Sequence, residues 1–66
     1  MTIQLNGEAF EVREPVTISA LLDLLEIDSR RVAVEHNLIV VKREEYPRIT
    51  VSDRDQVEIV NFVGGG

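Results

Sequence analysis

The sequence predicts an α+β fold, a mixed sheet of about four to five strands covered on one face by a single helix. Three observations carry that expectation. Apolar and polar residues alternate on both sides of Asn6-Gly7. An apolar stripe of helical spacing runs from Ile18 to Leu25. A second alternating run, Gln56 to Phe62, leads directly to Gly64-Gly65-Gly66.

Ile3 and Leu5 alternate with Thr2 and Gln4, and Phe10 and Val12 resume the pattern after Asn6-Gly7, the residue pair that best tolerates positive φ. A two-residue loop pairs Leu5 with Glu8, Ile3 with Phe10 and Met1 with Val12, so the large apolar groups share one face. Glu14-Pro15 ends the second strand, because proline lacks the N–H and restricts its predecessor. Thr17 is the expected N-cap of a helix whose inner stripe is Ile18, Leu21, Leu22 and Leu25, with Val16 and Leu21 placed for a hydrophobic staple. Asp28-Ser29-Arg30-Arg31 reads as a loop, and Val32 to His36 as a third strand. Asn37 turns the chain into a short fourth strand, Leu38 to Val41. Lys42 to Pro47 is too charged to be core and reads as a surface or helical turn. Ile49 and Val51 return inward, Ser52-Asp53-Arg54-Asp55 is a turn by its side-chain chemistry, and Gln56 to Phe62 is the last strand. If the first and last strands share one core under the helix, they form a parallel central pair with the second and third strands at the edges. That is the β-grasp arrangement, with a domain over 1–63 and a flexible C-terminal glycine tail over 64–66.

Composition removes several functions. A chain of 66 residues forms one domain, and such a domain buries roughly 60% of its unfolded surface, too little to enclose a deep substrate cavity. With no cysteine there is no disulfide scaffold, thiolate metal site or cysteine nucleophile. The net charge of -5 repels phosphate backbones, so nucleic acid is not an expected partner. No basic segment followed by an apolar one opens the chain and no stretch is a membrane span, so a cytoplasmic location is expected.

The candidate sites outside the glycine tail are weak. His36 is a lone histidine in a strand and receives no role. Asp53 and Asp55 lack the glycine and distal glutamate of a calcium loop and read as turn formers. Ser19, Ser29 and Ser52 have no evident base, so no catalytic triad is specified. No metal site and no catalytic residue is expected. In the last strand, alternation that sends Val57 and Ile59 inward turns Val60 and Phe62 outward, and Val60, Phe62 and Val63 form the expected partner interface.

Several segments together resemble a known family: the Leu5-Asn6-Gly7 hairpin, Val34-Glu35-His36-Asn37, Val41-Lys42-Arg43-Glu44-Glu45-Tyr46, Asp53 to Ile59, and above all Phe62-Val63-Gly64-Gly65-Gly66. The chain resembles, over its whole length, the ThiS-type sulfur carriers of thiamine biosynthesis, which share the ubiquitin-like β-grasp fold with MoaD. It departs from many of them at Lys42, at Arg54 and in the extra Gly64.

The chemistry of such a terminus has its own logic. A carboxylate resists a sulfur nucleophile until its oxygen becomes part of a leaving group, which adenylation by ATP supplies. Glycines without Cβ let the backbone thread a channel too narrow for side chains, the role expected of Gly64 and Gly65. The resemblance implies that a ThiF-type adenylyltransferase acts on Gly66 and that sulfur from a cysteine desulfurase or an equivalent donor makes the thiocarboxylate. It also implies that a ThiG-type thiazole synthase receives the sulfur. The chain is then a protein co-substrate, not an enzyme, with no bound cofactor and monomeric when free; ATP belongs to the activating enzyme. A MoaD-like subunit of molybdopterin synthase and a ubiquitin-like modifier or binding module are the alternatives. The MoaD-like reading is disfavoured because Val60-Asn61-Phe62-Val63 lacks the proline-containing segment common before that family's glycines.

Overall fold

A computed structural model describes residues 1–61. Phe62, Val63, Gly64, Gly65 and Gly66 lie outside the described residues, as does the expected boundary between domain and tail.

Strands β1 (Thr2–Leu5) and β2 (Glu8–Glu11) form the predicted hairpin, with Ile3 opposite Phe10 and Leu5 opposite Glu8. The turn works because Asn6 and Gly7 both adopt positive φ, 51° and 82°, the geometry that matches the twist of two antiparallel strands. Beyond the paired strands, Met1 and Val12 exchange backbone hydrogen bonds of 2.8 and 2.9 Å, which confirms the third expected pair.

Helix α1 (Ile18–Leu24) starts where the sequence places it: the Thr17 hydroxyl accepts the Ala20 N–H at 3.0 Å. Ile18, Leu21 and Leu22 are buried, while Leu25, expected as the fourth residue of the stripe, is the C-cap and only half-buried. The helix closes with Glu26 in the left-handed region at φ 59°. The Glu26 N–H donates to the Asp23 carbonyl, and the Ile27 N–H to that of Leu22. This paired capping turns the chain sharply and sets Ile27 against the end of the helix.

Four features differ from the sequence expectation. Asp28 to Arg31 is not an open loop; Ser29–Arg31 is a 3-10 turn whose N-cap, Asp28, accepts the Arg30 N–H at 2.9 Å. The Arg30 guanidinium beside it holds the Asp28 carboxyl at about 2. The third long strand, β4 (Val32–His36), is not an edge: β5 (Ile39–Val41) pairs along its far side, and with β7 (Gln56–Asn61) the order is β2-β1-β7-β4-β5. The Lys42–Pro47 segment is not wholly surface, because Tyr46, directly after the 3-10 turn Arg43–Glu45, is only 3% exposed and belongs to the core. Finally, two-residue strands β3 (Val16–Thr17) and β6 (Thr50–Val51) make a small separate antiparallel sheet, so Val16 pairs with Val51 besides preceding the N-cap.

The long strand β7 (Gln56–Asn61) lies at the centre of the sheet, parallel to β1 and antiparallel to β4. The predicted central pair is therefore present. Ile3, Leu21, Leu22, Val34, Val51 and Val57, each at most 1% exposed, fill the space between sheet and helix.

Candidate functional site

The sequence points to the end of β7, because that strand leads to the glycines. Its parity is as expected: Val57 is buried and Ile59 half-buried, whereas Glu58 is exposed and Val60 is 60% exposed. Of the residues expected to meet a partner, Val60 alone lies within the described residues. Phe62 and Val63, with Gly64, Gly65 and Gly66, lie outside them.

Val60 belongs to a face the helix does not cover. Opposite it on β4 stands Ala33, and one step along Glu58 stands opposite Glu35, which in turn faces Val40 of β5. Val40 is also strongly exposed. The result is an acidic pair flanked by valines. Carboxylates directly opposite one another repel, and among the described residues neither Glu35 nor Glu58 makes an ion pair. The face therefore suits a surface that brings apolar groups and a cation. Leu38 and Ile39, expected simply as part of a strand, add exposed apolar surface at the neighbouring turn. A short strand that is apolar at every position gives no alternation from which exposure could be read.

Two asparagines hold β7 in place. The Asn6 and Asn37 backbones both stand at φ 51°, each as the first residue of a two-residue hairpin turn. Asn37 donates its N–H to the Gln56 carbonyl at 2.8 Å, and its side-chain Oδ1 accepts the Gln56 N–H at 2.9 Å. Asn6 donates its N–H to the Val57 carbonyl at 2.9 Å, and its Oδ1 accepts the Ile59 N–H at 2.7 Å. In each case the turn swings the main-chain carbonyl off the ladder and the side-chain oxygen takes its place. Sequence reasoning found both turns but not these bonds.

His36, given no role from sequence, has its Nε2 2.7 Å from Asp55 Oδ2. Asp55 also accepts the Ser52 N–H at 2.8 Å, so it forms the turn as expected and ties it to β4. Burial opposes the charge on Asp55, but the Ser52, His36 and Asn37 hydrogen bonds outweigh it and hold its carboxyl below the usual range. This cluster sits at the start of β7, the end away from the glycines. Among the described residues no group of three or more His, Asp or Glu side chains is placed to hold a metal ion. Nor, among the described residues, is any helix long and apolar enough to cross a membrane.

Comparison with known proteins gives this geometry a context. The backbone superposes on the crystal structure of a thiamine biosynthesis protein (ThiS) from Geobacter metallireducens with a TM-score of 0.89, at 36% identity and complete coverage of both chains. The sulfur carrier protein ThiS of Bacillus subtilis is 38% identical over 65 residues, which is 97% of this chain and 98% of that one. A thiazole synthase of Paramagnetospirillum magneticum is 46% identical over 66 residues, but there the chain spans 20% of the relative's length. The family model described as ThiS family matches residues 3–66, which takes in the whole sheet but for Thr2, and all three terminal glycines. With the family match and the fold in agreement, the chain belongs to the ThiS family.

Proposed function

We propose that the chain is a sulfur carrier of thiamine biosynthesis whose Gly66 carboxylate is the reacting group. The observation that carries this reading is the family match over residues 3–66, which includes the glycine terminus, joined to a fold in which the central strand leads to that terminus. A ThiF-type adenylyltransferase joins the Gly66 carboxylate to the α-phosphate of ATP with release of pyrophosphate. The terminal sulfur of a persulfide made by a cysteine desulfurase or an equivalent donor then displaces AMP to give an acyl disulfide. A thiol reductant cleaves its S–S bond, leaving the thiocarboxylate and a disulfide. Gly64 and Gly65 thread the partner's channel, and Val60 with Phe62 and Val63 seats the domain beside it.

The recipient in this reading is a ThiG-type thiazole synthase. Support comes from the thiazole synthase of Paramagnetospirillum magneticum, in which a segment similar to this whole chain makes up a fifth of the polypeptide. Joining a carrier to its recipient raises their effective concentration without adding a contact, an advantage only where the two work together.

Intact-mass measurement of the protein purified from its own cells tests the reading. One terminal oxygen replaced by sulfur is the expected result, and deletion of Gly66 should abolish ATP-dependent activation while leaving the melting temperature unchanged. A truncated chain that is activated like the parent would overturn it.

A further inference from the structure

We infer that Asn6 is a positioning residue for the reactive terminus: its side-chain amide holds the last turn-free stretch of β7, from which residues 62–66 depart. The inference rests on the carrier reading above for its functional consequence, but not for its structural one.

Strand β1 stops early along β7. Its register against β7 covers only Gln4 opposite Gln56 and Leu5 opposite Val57. Two successive steps of the ladder are made by backbone alone, Gln4 N–H to the Asp55 carbonyl and Asn6 N–H to the Val57 carbonyl, each at 2.9 Å. The next acceptor in a parallel ladder would be the Asn6 carbonyl, but the left-handed turn at Asn6 and Gly7 carries it away. Asn6 Oδ1 accepts the Ile59 N–H instead, at 2.7 Å and across 53 positions of sequence. The side chain thus extends the support of β1 by one more step toward the terminus.

Beyond Val57, then, among the described residues β7 is gripped by β4 on one side and by a single side-chain amide on the other. Without the amide, Ile59, Val60 and Asn61 hang from β4 alone, next to the groove lined by Leu5, Leu25, Ile27 and Ile59. Fraying there widens the directions in which the following residues leave. Docking through Val60 survives, because Val60 still has its partner Ala33. What falls is the fraction of docked molecules whose carboxylate stands in the partner's site, a loss in kcat with little change in KM.

Two variants isolate the amide oxygen. Asn6→Gly keeps the positive φ and removes the acceptor; Asn6→Asp keeps both. Hydrogen exchange on the isolated chain should show the Ile59 amide losing protection in Asn6→Gly by roughly five- to tenfold, the worth of one hydrogen bond, while Val34 in β4 stays as in the parent. Adenylation by a purified ThiF-type enzyme should show kcat lowered by a similar factor with KM within about twofold, and Asn6→Asp should recover both readouts. Equal loss of protection at Ile59 and Val34 would show a general loss of stability and overturn the inference, as would a parental kcat in Asn6→Gly. An inert parent would sink the carrier reading instead, and exchange at Ile59 would still decide whether the amide holds the strand.

Discussion

His36 and Asp55 meet at 2.7 Å across the end of the sheet, both side chains only 18% exposed, and so join β4 to the turn that starts β7. Asp55 is the group whose titration this geometry controls. Its carboxyl is depressed below 3.8 in the folded chain, so its charged form stabilises the fold above that value, and the contribution disappears as pH falls through the lower folded value. The melting temperature should therefore be lost between about pH 4 and the acid limit, and Asp55→Asn should lower it at neutral pH while flattening that acid slope. Asp28, held at about 2, supplies a slope that remains. An Asp55→Asn chain with the parent's melting temperature and acid profile would contradict the assignment.

Asn37 offers a measurement of how much a left-handed turn and a side-chain ladder bond contribute together. Asn37→Gly keeps the backbone conformation and loses the side-chain bonds to Gln56 and Asp55, which should cost about 1 to 2 kcal/mol. Asn37→Ala loses the same bonds and adds the left-handed penalty, so about 2 to 4 kcal/mol is expected. Chemical denaturation of the two variants gives the difference directly. Equal stabilities would mean that the φ of 51° carries no strain for alanine.

The core predictions distinguish an expected residue from an unexpected one. Leu22, 1% exposed on the helix stripe, should cost about 2 to 5 kcal/mol on truncation to alanine. Tyr46, 3% exposed despite its charged neighbours, should cost about 3 to 5 kcal/mol. In a domain this small either loss removes a large share of the total stability. A Tyr46→Ala chain as stable as the parent would return the residue to the surface.

Val60→Asp tests the partner face. Val60 is exposed, so the substitution should leave thermal stability within about 0.5 kcal/mol of the parent. Binding to ThiF-type and ThiG-type enzymes should weaken by roughly tenfold or more, because the new carboxylate would be desolvated without a partner and beside the acidic pair. Titration calorimetry with circular dichroism as the folding check reads both. Native affinity in a natively folded variant would remove Val60 from the interface.

The parts of this molecule that were legible in the sequence are those with a strict period. Ile3 and Phe10 could be paired because alternation and Asn6-Gly7 agree on one register, and Leu22 could be buried because a helical stripe repeats. Val60 followed from Val57 by parity. The edge position of β5 was hidden because Leu38 to Val41 is apolar throughout and reports no face. Tyr46 was hidden by the charges around it, and β3 and β6 by a length of two residues, too short for any pattern. At the candidate site, the turns at Asn6 and Asn37 were readable locally. Their bonds to β7 were not, since each depends on the register between segments far apart in the chain.

The parallel pairing of β1 with β7 also makes the carrier a test of its own integrity. Those strands join the two ends of the described chain, and contacts of such long sequence separation form only after a costly loop has closed. The strand that leads to the glycines is therefore framed on both sides only in a completed fold. A nascent, nicked or partly unfolded copy carries the same three glycines but not the frame that aims them, so under the carrier reading an activating enzyme that engages both the face and the terminus charges finished molecules and passes over damaged ones.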